Sequence, residues 1–190
     1  LERWPHYWAT DEEGNRYPFL DAVRCTFVKD KQREFEEFTK GNLSVIYELP
    51  VEQTDVLHSA TPYQVQTIPG LTVQFYGFNC GMAPFDDPRI RKAFSLAIDR
   101  QSLVDSVLNG LAVPARGVVA PGFTGYPYDP EPLLAYDPKQ ARLLLAEAGH
   151  PDGAGLPNVY LQVNSDGFGY VRVAEAVQEM LTRNLGVRVI

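Results

Sequence analysis

Cysteine is scarce. The chain of 190 residues has two, Cys25 and Cys80, far apart and without a C-x-x-C spacing. That argues against a disulfide scaffold and against a cysteine-based metal or redox site. A single disulfide and two buried thiols stay open; burial is the expectation, because isolated cysteines on strands behave as small hydrophobes. Histidine is as thin. His6, His58 and His150 each stand alone with no second ligand at metal spacing, so neither a metal site nor a cofactor is expected. Basic charge is also in deficit, with 17 Lys and Arg against 24 Asp and Glu leaving a formal charge of −7. Nucleic acid is not an expected partner, since phosphate recognition needs clustered Lys and Arg. No apolar run approaches the roughly 18 residues of a membrane span, and Leu1 to Pro18 lacks the apolar core of a signal peptide. The abrupt start, with Trp4, Tyr7 and Trp8 close together and no initiator methionine, suggests a mature product or a piece of a longer chain.

What is present suffices for a core. At 45% hydrophobic and 22% charged residues, wholesale disorder is excluded, and the length suits one ordinary domain or two small lobes. Trp4 to Leu20 reads as an aromatic surface excursion broken by a turn at Asp11-Glu12-Glu13-Gly14-Asn15. Ala22 to Val28 reads as a strand, Asp30 as the cap of a helix over 31–40 burying Phe35 and Phe38, and Leu43 to Leu49 as a second strand. Two strands joined by a helix predict a parallel, right-handed βαβ unit. After a polar stretch punctuated by Pro62, Pro69 and Gly70, Leu71 to Asn79 returns as a β-rich run, and the domain boundary is placed there.

Asp87 followed by Pro88 is a strong helix start: the carboxylate caps, and proline's missing N–H is no loss at the first helical position. Ile90, Ala93, Phe94, Ala97 and Ile98 then form one apolar stripe. Asp99 opens a second helix burying Leu103, Val104, Val107 and Leu108, stopped by Asn109-Gly110. A long loop from Pro114 to Pro132 carries Phe123, Tyr126 and Tyr128, and long aromatic loops tend to face ligands. Asp137-Pro138 repeats the capping pattern before Ala141, Leu144, Leu145 and Ala148. Val159 to Val163 alternates as a strand, and Val173, Ala174, Val177, Leu181 and Leu185 mark a last helix ending at Gly186, followed by the start of a strand over 187–190.

No catalytic constellation emerges. There is neither a G-x-S-x-G elbow nor a G-x-x-x-x-G-K phosphate loop, and Gly153 and Gly155 precede a strand, the wrong context for a dinucleotide. Asp86 and Asp87 are read as helix-capping carboxylates rather than an acid/base pair. Asn42-Leu43-Ser44 matches a glycosylation acceptor at a helix-to-strand junction, a pattern common by chance. From the residues alone, the chain is two α/β pieces with aromatic loops, a description that suits a binder rather than an enzyme.

Several segments, in order, then resemble one family. They are Tyr7-Trp8, Pro18-Phe19-Leu20-Asp21, the strand from Gly41 to Pro50, and Tyr76-Gly77-Phe78-Asn79. Pro84-Phe85-Asp86-Asp87-Pro88-Arg89-Ile90-Arg91-Lys92-Ala93, Ala97-Ile98-Asp99-Arg100 and Asn109-Gly110 follow, then Pro121-Gly122, Tyr136-Asp137-Pro138-Lys139-Gln140-Ala141 and Leu144-Leu145-Ala146-Glu147-Ala148-Gly149. The set resembles the extracellular solute-binding proteins of ABC importers, in the large dipeptide- and oligopeptide-binding class (family 5). Ser44 departs from the aspartate usual at that position, which leaves the fold implication intact.

The resemblance implies an α/β fold of the periplasmic-binding-protein type, two-lobed with a hinge, and an internal fragment of a chain more than twice as long. Residues 1–70 would be part of lobe I and the approach to the hinge; residues 71–190 would be the hinge strand and the first half of the second large lobe, lobe III. It implies a non-enzymatic role: capture of a peptide or other small solute in an interlobe cleft and delivery to an ABC permease. The full-length protein would be a periplasmic or extracellular monomer, tethered where a lipid anchor precedes this segment. Cleft candidates are Tyr76 and Asn79 near the hinge, Phe123 and Tyr126 on the long loop, and Asn164, Asp166 and Phe168 after the strand. Some dipeptide binders place a cation in the loop matching Asn164 to Tyr170; here the nearest is Arg172, expected in the following helix, which favours oligopeptides. Three alternatives stay open: the sensor domain of a transcription regulator, a binder of a non-peptide solute such as a nickel complex or sugar, and a catalytic α/β domain with its active residues elsewhere.

Overall fold

Aspartates set where the helices begin. In the computed structural model, which describes residues 1–50, 53–54, 62–68, 70–123, 125–126, 134–164 and 169–190, Asp30 Oδ1 accepts from the Arg33 amide at 2.7 Å and opens helix α1 (Lys31–Thr39). Asp87 Oδ1 accepts from the Arg89 amide at 2.8 Å and opens α2 (Pro88–Leu96). Asp99 does the same for Ser102 at 3.1 Å, opening the short α3 (Arg100–Ser102). Asp137 takes the amides of Lys139 and Gln140 at 3.1 and 2.9 Å and opens α4 (Pro138–Glu147). Each carboxylate satisfies amides that a helix start leaves unpaired, and its charge sits at the positive end of the helix dipole. The last helix, α5 (Tyr170–Leu185), instead follows Gly169 with no side-chain cap and stops at Gly186.

The chain divides into two units, Leu1–Pro50 and Val51–Ile190. In the second, α2 packs on α4 and α4 on α5. The stripes predicted from spacing are the faces that meet: Ile90, Ala93 and Phe94 of α2, Ala141 and Leu145 of α4, and Val177, Leu181 and Leu185 of α5 are buried, joined on α5 by Met180, which is not in the predicted stripe. Ala93, Ala97 and Ala141 are wholly inaccessible, and residues this small let helix axes approach closely. The helix expected after Asp99 turns differently. Beyond α3 the backbone widens into a π-helical stretch, Leu103–Val107, with the Leu108 amide reaching Leu103 O at 3.0 Å. Leu103, Val104 and Leu108 are buried as predicted, whereas Val107 is only half-buried.

Two extended segments flank α5 and pair in parallel. The Val159 amide donates to Arg188 O (3.1 Å), the Ile190 amide to Val159 O (2.8 Å) and the Leu161 amide to Ile190 O (2.9 Å), so the two runs expected as strands, 159–163 and 187–190, are partners in a parallel pairing that their spacing does not indicate. Gly186 has φ +68°, and a Cβ there would collide with Asp152 O, so both backbone conformation and space require glycine.

The first unit corrects an expectation. The runs 22–28 and 43–49 form no ladder with each other; the start of the first bridges residue 2 instead, through Glu2↔Ala22, with the Arg3 amide on Asp21 O at 2.7 Å. Phe27, Val45 and Tyr47 are more than four-fifths exposed. Alternation confers a capacity to pair, but a strand persists only when a neighbour takes its amides and something covers its apolar face; among the described residues of this unit nothing does. Helix α1 forms as predicted, burying Phe35 and half-burying Phe38. The cysteine expectation is also corrected: Cys25 and Cys80 are exposed free thiols.

Two outcomes follow. Leu145→Ala should lower the unfolding free energy by about 2–5 kcal/mol in denaturant titration, because it leaves a cavity at a wholly buried site. Asp87 has its carboxyl held down to about 2 by hydrogen bonds from the Arg89 side chain and amide. Its contribution to stability is therefore complete above its ordinary value of 3.8 and is lost as the pH falls towards 2. The melting temperatures of wild type and Asp87→Asn should differ at pH 6 and converge near pH 2.

Candidate ligand-binding surface

The segment from Leu71 to Asn79 is anchored at one end and open along the rest. Phe78 packs against Phe85 at a tilt with ring centroids 4.8 Å apart, Phe85 meets Phe94 of α2 edge-on at 5.1 Å, and Phe78 meets Phe94 edge-on at 6.3 Å. This aromatic triad fixes the end of the segment to the helical core. Leu71, Phe75 and Tyr76 remain exposed, at 53%, 74% and 38%. Partial burial pushes the Tyr76 phenol up, so it stays a neutral donor and acceptor through the physiological range.

Asn79 has a local task. Its Oδ1 accepts from the Gly81 amide at 3.3 Å, its Nδ2 lies 3.2 Å from Met82 Sδ, and its carbonyl accepts from the Met82 amide at 3.2 Å. The side chain thus closes an Asx-type turn beside the aromatic triad. Arg91 grips the loop that follows, its Nη1 donating to Phe85 O at 2.6 Å and to Asp86 O at 3.1 Å.

Phe123 and Tyr126 share one turn, the Tyr126 amide donating to Phe123 O at 3.2 Å, and both rings are about half exposed. Gly122, at φ +102°, brings this turn against the Leu71 segment: a Cβ there would lie 3.2 Å from Leu71 Cδ2. The long loop and the β-rich run, separate in sequence, are therefore neighbours. Asn164 is exposed at the end of the extended segment that pairs with 188–190. Asp166 and Phe168 lie outside the described residues. Arg172 is on α5, as expected. Among the described residues, no group of three His, Cys, Asp or Glu is placed to hold a metal ion.

Sequence reasoning missed the arginines. Arg89 pinches Asp87 with Nη2 at 2.6 Å and sends Nη1 to Glu147 O, at the end of α4, at 2.7 Å. Arg100 donates to Ser95 O (3.1 Å) and Ser95 Oγ (2.9 Å) near the end of α2, and burial lowers its pKa. Arg142 reaches Asn184 O, near the end of α5, at 3.1 Å. Each meets carbonyls left free at the negative end of a helix. For Arg89 and Arg142 the partners are 58 and 42 residues away, so no local pattern reveals them.

Comparison with known proteins places this geometry. The chain is 31% identical over 198 residues to the oligopeptide-binding protein OppA of Bacillus subtilis (strain 168), covering 100% of this chain and 35% of that protein. It is 34% identical over 154 residues to the glutathione-binding protein GsiB of Escherichia coli (strain K12), covering 80% of this chain and 28% of that protein. The solved murein tripeptide binding protein MppA of Escherichia coli superposes with a TM-score of 0.73 at 28% identity, over 86% of this chain and 32% of that one. The chain thus spans about a third of the length of these relatives. With the family model matching residues 1–190, it belongs to the bacterial extracellular solute-binding proteins, family 5 Middle.

Proposed function

We propose that the protein containing this chain is the substrate-binding component of an ABC importer, capturing peptides in a cleft between two lobes and delivering them to a membrane permease. The carrying observation is the exposed aromatic surface where the Phe123–Tyr126 turn meets the Leu71 segment, on a chain whose relatives are named for oligopeptide, glutathione and murein tripeptide binding. In this reading, residues 1–70 belong to lobe I and the approach to the hinge, and residues 71–190 supply the hinge strand and the first half of lobe III. Closure of the lobes brings both walls onto the solute, and no bond is broken. The site is periplasmic or extracellular, and the full-length protein is a monomer.

Tyr76, Phe123, Tyr126 and Asn164 contact the ligand, as do Asp166 and Phe168. Asn79 acts through its turn, orienting the Tyr76 segment. Longer peptides are favoured over dipeptides because Arg172 is part of α5 rather than of the loop before it; backbone hydrogen bonding then carries more of the affinity than an ion pair with a terminal carboxylate.

Calorimetry on the full-length protein tests this. A tetrapeptide should bind with micromolar Kd, about −8 kcal/mol, and Gly122→Val, which drives a side chain into Leu71, should weaken binding by about tenfold, or 1.4 kcal/mol. Binding of dipeptides with no binding of longer peptides would overturn the oligopeptide assignment.

A further inference from the structure

Where the Phe123 turn meets the Leu71 segment, the surface assigned to the ligand is almost devoid of charge. More than a fifth of the chain is charged, 22%, yet no Asp, Glu, Lys or Arg occurs between Asp55 and Asp86. Between Asp105 and Asp129 the single charged residue is Arg116. These are the two stretches that meet where Gly122 touches Leu71. Apart from the exposed Arg116, the described residues of these stretches expose apolar or neutral groups. Leu71, Phe75, Phe123 and Tyr126 present rings and methyls, and Thr72 and Gln74 between them are exposed amide and hydroxyl groups that donate and accept without charge.

We infer that this surface selects peptides whose side chains are apolar or aromatic and rejects charged ones. The inference rests on the peptide-binding reading above and adds the chemistry of the side chains recognised. Its physical basis is asymmetric. An apolar side chain pressed against exposed rings sheds water from both surfaces. A carboxylate or ammonium in the same place loses its hydration and finds no opposite charge to replace it. Neutral amides and hydroxyls meanwhile serve the peptide backbone, which every peptide shares, so backbone contacts supply affinity and the rings supply discrimination. Tyr76 fits this chemistry, since a tyrosine phenol is neutral at physiological pH and its partial burial shifts titration further upward.

The test is calorimetry on the full-length protein with three tetrapeptides, Ala-Phe-Leu-Ala, Ala-Glu-Glu-Ala and Ala-Lys-Lys-Ala, repeated on Tyr126→Lys. Tyr126 is 52% exposed, so the substitution leaves the core alone, and an unchanged melting temperature verifies that. The expected result is at least tenfold tighter binding of the apolar peptide than of either charged one. In Tyr126→Lys, the preference for the apolar over the acidic peptide should fall at least threefold. Equal affinities for all three peptides, or a preference for a charged one, would overturn the inference and leave peptide binding standing. Unchanged peptide preference in Tyr126→Lys, whatever its melting temperature, would also overturn it, because this surface would then take no part in the discrimination. Failure of all three peptides to bind would remove the peptide-binding reading itself, and the inference with it.

Discussion

The second unit depends on one burial: the face of α4 that carries Ala141 and Leu145, both wholly inaccessible, between α2 and α5. Neither α2 nor α4 is long enough to be stable alone in water, where helices shorter than about 12–15 residues are marginal. Their caps specify where they begin, but the apolar faces hold them together. Phe94, Leu185 and Val187, all nearly inaccessible, complete the same core, and the parallel pairing of 159–161 with 188–190 closes over it. The aromatic triad of Phe78, Phe85 and Phe94 extends that core to the segment bearing Tyr76. The site thus inherits its position from the helices.

Arginines solve a second problem of this packing. Bringing helix ends together leaves last-turn carbonyls close to apolar surroundings, where unpaired acceptors are costly. Arg89, Arg100 and Arg142 supply donors to those carbonyls, all three across elements, and Arg89 and Arg142 do so over 58 and 42 residues of sequence. Asn184, one of the few buried polar side chains, works alongside, its Nδ2 donating to Ala97 O at 2.8 Å. Among the described residues no buried side-chain nitrogen or oxygen is left without a partner. This internal use of cations also explains why their number says little about ligands. These three are occupied by the protein's own backbone, and the surface proposed for the solute carries little charge.

Rigid helices beneath and open aromatic segments above form a division that suits a binder. Loops that contact solutes need exposed rings and neutral hydrogen-bonding groups, and these are stable in place only when their ends are tied to something that does not move. Phe78 and the Asn79 turn tie one segment, and the other passes close beside it where Gly122 faces Leu71.

By itself the sequence determined the helices and their buried faces: aspartate before proline at 87–88 and 137–138, apolar residues at helical spacing, and glycine at 186 are local codes, written within a few residues and read without knowing the partner. It also carried, in an ordered set of motifs, membership of the solute-binding family. The strands were only half legible. Alternation at 22–28 and 43–49 states a capacity to pair, but pairing is a property of two segments, and here it was realised for 159–161 with 188–190 and not for the first two. Tertiary structure alone decided that the Phe123 turn lies against Leu71, that Asn79 is spent on its own turn, and that Arg89 reaches the end of α4. The reason is common to all of them: each depends on contacts between atoms distant in sequence or on the direction of a side chain, and neither is encoded in local spacing.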